Sequence, residues 1–176
     1  MILIINICKE RLHYLEFVKP IKDILYRNNV SCYIKDYKNV SEVDLKNADK
    51  VIICGTSLFD NDFIKNLNFF NWLLDYDKPV LGICGGMQII GLVFGGKLKK
   101  ETEIGFFKEN LNGFLGIKEA EVYHLHNYYV SFNDYFEIFS NNKIVQAVKH
   151  KNKEIYGCLF HPEVRQKDLI KNFCLL

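Results

Sequence analysis

The sequence predicts an α/β protein built on a mixed, mostly parallel sheet with helices on both faces. In the first half, short β-rich apolar runs alternate with longer stretches of helical periodicity. One of them, "KVIICGT", is continuously apolar, as a strand buried on both faces is. In the second half, short β-rich runs with turns between them predict mixed or antiparallel strands added to the edge of that sheet.

"ILIINIC" (2–8) reads as the opening buried strand. Between Tyr14 and Asn28, Leu15, Val18, Ile21, Ile24 and Leu25 recur at helical spacing, with Pro20 as a kink or a late helix start. "SCYIKDY" alternates like a strand, and "KVIICGT" is a continuous apolar run ending at Gly55, as a central parallel strand would. Residues 58–75, with Leu58, Phe59, Phe63, Ile64, Leu67, Phe70, Leu73 and Leu74, predict a helix with a wide apolar face. "PVLGIC" is a further strand and "GGMQIIGLVFG" the helix after it. From Lys97 to Leu159, "AEVYHL", "YYVSF", "YFEIFS", "IVQAVKH" and "EIYGCLF" each read as a short strand, and Val164 to Leu175 as the closing helix. No repeat, low-complexity tract or linker interrupts the pattern, so residues 1–176 are expected to form a single domain.

With 49% hydrophobic and 14% aromatic residues among 176, the chain can bury a real core without staples. A net charge of +2 and one small basic cluster (Lys97, Lys99, Lys100), read as a solvated turn, argue against a dedicated nucleic-acid binder. None of the six cysteines forms a CxxC pair, which removes zinc-knuckle and redox-dithiol readings. "MILIINIC" has no basic region before it, so it reads as a strand and not a secretory signal, and a reduced cytoplasmic setting is expected. Pro79 to Gly96 is 18 residues without a charge, near the lower limit for a membrane span, yet it holds six glycines and Gln88 behind a proline. That composition fits broken backbone, and no membrane role is expected.

Within this run "GICGG", Gly82 to Gly86, has the form Gly-x-nucleophile-x-Gly. A strand that reverses into a helix within one residue strains the central backbone, and the residues two before and two after must be tiny to avoid collision. The central side chain then projects beside the free N–H groups that open the helix, which favour negative charge and can hold an oxyanion. Cys84 occupies that position. A cysteine nucleophile needs a base, and His161 stands apart from His13, His124, His126 and His150. "YGCLFHPEV" places it directly after an apolar strand, on the sheet edge where parallel strand C-termini gather. If that strand lies parallel beside "PVLGIC", His161 meets Cys84 there, with Glu163 placed to take the imidazole N–H. On the other reading, His161 caps the last helix and Glu163 sits in its first turn. His124 and His126 lie on one face of a strand, but no Asp, Glu or Cys at ligand spacing completes a metal set. They are read as lining a turn or a substrate pocket, and no metal is expected.

Together, "GICGGMQ" and the downstream "FHPEV" resemble the class I (triad) glutamine amidotransferases. The likeness extends to the opening strand, the strand ending in Gly55, "FGGKL" and "LIKNF". It implies a flavodoxin-like fold and hydrolysis of the glutamine side-chain amide, without a cofactor. Cys84 would be the nucleophile, His161 the base and Glu163 its orienter. Gly85 and the Gly55–Thr56 turn would supply oxyanion donors. Gln88 would help seat glutamine, and His126, Asn127 and Tyr128 match the loop that grips its amino-acid end. Three positions depart from the family pattern: "CGTSL" replaces a Gly-Gly-Pro turn, Gly85 replaces a bulkier residue and would loosen the elbow, and "YHLHNYY" fits neither the guanylate-synthase nor the anthranilate-synthase loop. With no room for an acceptor domain, the resemblance implies an ATP-dependent synthetase on a separate chain. The "YGCLFHPEV…LIKNFC" end most resembles archaeal-type GMP synthase glutaminase subunits. The alternatives are a γ-glutamyl or peptide hydrolase of the same superfamily and a catalytically idle regulatory subunit.

Overall fold

The structure, a computed structural model, describes residues 1–140 and 142–176. In chain order it contains β1 (Ile2–Asn6), a short α1 (Arg11–His13), a π-helical turn (Tyr14–Val18), α2 (Lys19–Arg27), β2 (Cys32–Asp36), α3 (Glu42–Asn47) and β3 (Lys50–Ile53). A 3-10 stretch (Asp62–Leu74), β4 (Val80–Ile83), α4 (Gly85–Val93), β5 (Lys97–Phe114), β6 (Ile117–Ser131), β7 (Phe136–Ile138), β8 (Ala147–His150), β9 (Ile155–Cys158) and α5 (Lys167–Leu175) follow. Among the described residues, seven strands form one sheet in the order β2-β1-β3-β4-β9-β8-β7. Neighbouring strands from β2 to β9 run parallel, and β8 and β7 add antiparallel edge strands.

The fold class agrees with the sequence, because the central strands have no polar face to offer water. Leu3, Ile4, Ile5, Val51, Ile52, Ile53, Leu81 and Ile83 are all fully buried. α2 packs against α5, and α4 against the 3-10 stretch, so helices cover both faces. Pro20 is not a late start: helical backbone already runs from Arg11, and Pro20 falls in the first turn of α2, directly after the π-helical turn Tyr14–Val18.

Three elements differ from the sequence reading. Residues 58–75 do not form one α-helix. The 3-10 stretch begins only at Asp62, Asn66 breaks it with φ −123° and ψ 30°, and Phe59 is 90% exposed. The Asn66 side chain donates to Asp62 O at 2.9 Å, offering the backbone an alternative to α-helical pairing. In the second half, "AEVYHL" and most of "YYVSF" belong to one strand, β6, which pairs with the still longer β5 in a separate two-stranded hairpin. Lys97, Lys99 and Lys100 lie at the start of β5, not in a turn. The closing helix starts at Lys167, so neither His161 nor Glu163 belongs to it. The uncharged run splits into β4 and α4, and no helix among the described residues is long and apolar enough to cross a membrane.

α5 docks through Leu169, Ile170 and Phe173, all fully buried. Phe173→Ala should lower unfolding free energy by about 3–5 kcal/mol, measured by urea titration.

Candidate active site

The bend at Cys84 is built from close approaches. Cys84 has φ 49° and ψ −104°, a positive φ that side-chain-bearing residues rarely adopt. A Cβ on Gly86 would stand 2.3 Å from Ile53 O, and one on Gly82 would stand 2.6 Å from Gly86 O and from Ile90 Cδ1. The glycines therefore let α4 rest directly on β3 and β4. Cys84 N–H donates to Cys158 O at 2.8 Å, and Cys84 O accepts from Gln88 N–H at 3.0 Å, pinning the bend on both sides. Gly85 does not loosen the elbow. The place of a side chain is taken by Ile7 Cδ1 and the Phe63 ring, 2.7 and 3.2 Å from where its Cβ would be.

β9 lies parallel beside β4, with Ile83 opposite Cys158, so the chain leaves both strands at the same edge. His161 and Cys84 meet there. A Cβ on Gly55 would stand 2.6 Å from His161 Cε1 and 3.2 Å from Cys84 Cβ, so glycine at the end of β3 leaves room for both. His161 is fully buried, its ring 5.2 Å from that of Phe17, and its backbone N–H donates to Tyr123 O at 2.8 Å. Its Nδ1 lies 2.7 Å from Glu163 Oε1. An ionised carboxylate only accepts, so Nδ1 carries the proton and Nε2 is left for chemistry. Nε2 is buried, with no hydrogen-bond partner among the described residues. Burial disfavours the charged imidazole, yet the Glu163 carboxylate and the Cys84 sulfur outweigh it and hold His161 well above its ordinary value. Cys54 and Cys158, sealed in the sheet, are pushed well up by burial and are not nucleophiles at neutral pH.

A narrow pocket opens over Cys84, between Thr56 and Phe63 on one side and His126, Asn127 and Tyr128 on the other. Gln88, one helical turn past the bend, donates from Nε2 to Tyr128 O at 2.7 Å, and the Cys84 thiol lies 3.6 Å from Leu125 O. The hairpin thus faces the elbow with backbone carbonyls. The Asn127 side chain, which also lines this pocket, is engaged on both its polar atoms. It donates to Leu58 O at 3.1 Å and accepts from Thr102 Oγ1 at 2.9 Å, tying the hairpin to the loop after β3. In that loop Thr56 Oγ1 donates to the buried Asp60 at 2.8 Å, and the same carboxylate oxygen accepts Lys9 N–H at 2.7 Å. Gly55 and Thr56 are therefore held beside the thiol by Asp60, whose place in "SLFDNDF" carries no sequence signal.

A carboxylate does complete the His124–His126 pair, contrary to the sequence reading. Glu103 comes from β5 as the cross-strand partner of His126, and its Oε2 lies 2.9 Å from both imidazoles. Burial pulls His126 down to about 4 against the opposing pull of Glu103. Burial, then repulsion from Glu103, raises Glu109 to about 7.

Two outcomes follow from this geometry. Gly86→Ala should cost about 1–3 kcal/mol, because the neighbour it meets is backbone, and its thermal midpoint should fall accordingly. Glu163→Gln should lower the pH at which His161 titrates, read from its imidazole NMR signals across pH.

The sequence profile of the glutamine amidotransferase class-I family matches residues 13–174. A glutamine-hydrolysing GMP synthase subunit of Methanosphaera stadtmanae is 32% identical over 167 residues, covering 86% of this chain and 87% of that protein. Glutamine-hydrolysing GMP synthase of Clostridium tetani is 33% identical over 165 residues, which are 83% of this chain and 31% of that longer protein. The crystal structure of a candidate GMP synthase subunit from Thermoplasma acidophilum superposes with a TM-score of 0.85 at 26% identity, over 98% of this chain and 90% of that one. With the profile spanning nearly the whole chain and the Methanosphaera relative matched along most of its length, the chain belongs to the class-I glutamine amidotransferases.

Proposed function

We propose that the chain is a single glutaminase domain that hydrolyses the side-chain amide of glutamine and passes the ammonia to a synthetase on another chain. The observation that carries this reading is Cys84 at its strained bend beside a buried His161 that is paired with Glu163. Cys84 Sγ attacks the amide carbonyl carbon while His161 takes the thiol proton. The same proton goes to the departing nitrogen, the C–N bond breaks, and ammonia leaves a γ-glutamyl thioester. His161 then deprotonates a water that attacks the thioester, and glutamate and the thiol are regenerated. Gly85 opens α4, where a backbone N–H has no intrahelical acceptor, and it serves the oxyanion together with Gly55 or Thr56. Gln88 and the His126–Tyr128 segment hold the amino-acid end of the substrate.

The acceptor proposed is the nucleotide precursor of GMP, with the partner an ATP-dependent synthetase. The names of the Methanosphaera and Clostridium relatives support this, as does the match to only 31% of the Clostridium protein. A cytoplasmic setting fits six free thiols.

A glutamine-like electrophile should label Cys84 and no other cysteine by peptide mapping, excess glutamine should block it, and Cys84→Ser should remove it. Labelling elsewhere, or labelling indifferent to glutamine, counts against the assignment. Gln88→Ala should raise KM for glutamine about tenfold with kcat less affected, the scale of one lost hydrogen bond. Glu163→Gln should cut kcat by on the order of 10²–10⁴. Failure to recover any ATP-dependent synthetase on purification from native extract would remove the separate-partner reading.

A further inference from the structure

A buried polar group on β5 and β6 lies beside the Cys84 pocket, and of its members only His126 lines that pocket. His124 and His126 stand at alternate positions of β6, so both imidazoles lie on one face of the hairpin, and Glu103 reaches them from the paired strand. Gln146, just before β8, approaches the same carboxylate: its Nε2 lies 2.7 Å from Glu103 Oε2. As hydrogen bonds alone the group is badly balanced. One carboxylate oxygen collects three donors, whereas His126 Nδ1 and Gln146 Oε1 are buried without a hydrogen-bond partner among the described residues, and His124 Nε2 has only Glu109 Oε1, 3.4 Å away. His124 and Gln146 are fully buried and His126 is 2% exposed, so water does not serve these atoms from the surface.

We propose that Glu103, His124 and His126 bind one divalent metal ion of the zinc class. Their donor atoms lie within 4.8 Å of one another, a spread that small rotations of the imidazoles close onto an ion about 2.0–2.2 Å from each. Two imidazoles and one carboxylate suit zinc and its first-row neighbours, whereas calcium and magnesium prefer oxygen shells. The strand period supplies the convergence. Alternate residues share a face, and the cross-strand residue closes the third side.

The ion would also relieve the crowding on Glu103 Oε2 and give His124 a defined partner. With His124 Nδ1 and His126 Nε2 as ligands, the opposite ring nitrogens become donors. His124 Nε2–H then meets Glu109 Oε1, 3.4 Å away, as the outer carboxylate that orients a ligating imidazole. Rotation of the Gln146 amide turns its unpartnered Oε1 to the ion as a fourth donor. The site borders the Cys84 pocket through His126, and the proposal stands whether or not the chain is a glutaminase.

The test uses the full chain carrying Cys84→Ser, stripped with chelator and titrated with Co²⁺. The expected result is one Co²⁺ per chain, with the visible bands of a nitrogen–oxygen site, no near-ultraviolet thiolate charge-transfer band, and displacement by Zn²⁺. Glu103→Gln and His124→Ala, each checked for folding by circular dichroism, should weaken Co²⁺ by more than the roughly 10–100-fold typical of a lost outer-shell partner. Glu103→Gln keeps the shape and a hydrogen-bonding amide, so it provides the folded comparison. No Co²⁺ spectrum, a thiolate band, or unchanged affinity in folded Glu103→Gln overturns the proposal.

Discussion

The contact between α4 and the end of β3, where Gly86 lies against Ile53 O, is the constraint on which the rest of the site depends. No side chain fits between them. Because the helix sits that close, the chain must turn from β4 into α4 within a single residue, and Cys84 takes up the positive φ. Strain of that kind costs about 1–3 kcal/mol and persists only where surrounding structure over-determines it. Here the determinants are Gly82, Gly86, the Cys84 N–H bond to Cys158 and the Ile7–Phe63 packing over Gly85. The thiol is aimed by the backbone, before any side-chain partner is considered.

Burial then sets the electrostatics. His161 and Glu163 are both removed from water, so each depends on the other, and the carboxylate's second oxygen has no partner among the described residues. A lone imidazole at full burial would stay neutral. Glu163 and the nearby sulfur reverse that preference, and the ring binds a proton readily while its tautomer stays fixed. The hairpin supplies the opposite wall with carbonyls of Leu125 and Tyr128.

Cys84, His161 and Glu163 were legible in the sequence because each carries a local signature: glycines two before and two after a cysteine, and a histidine ending an apolar run. The parallel neighbours followed from continuous apolar runs. The 3-10 stretch was not legible, since Asn66 bonding back to Asp62 is a conformational choice that apolar spacing does not encode. Nor was the long hairpin. A register shift between Lys100 and Glu103, and Gly105 at φ 123°, interrupt the β pattern without ending the strand. Glu103 escaped notice for that reason: its partners His124 and His126 are near only across the hairpin. Asp60 and Gln146 likewise gain meaning only from long-range contacts.

The strand order has a consequence for how the protein is made. β9 follows the whole hairpin in sequence, yet it inserts between β4 and β8, near the middle of the sheet. Cys84 gains its backbone acceptor from Cys158, and its histidine from three residues further on, only once that insertion is complete. Such distant pairing is slow to form, because chain closure comes before the contacts that reward it. During synthesis on the ribosome the Cys84 sulfur thus emerges long before His161. Cys84 stays without the Cys158 contact and the imidazole until β9 docks, so the elbow is completed by one of the last strands to be made.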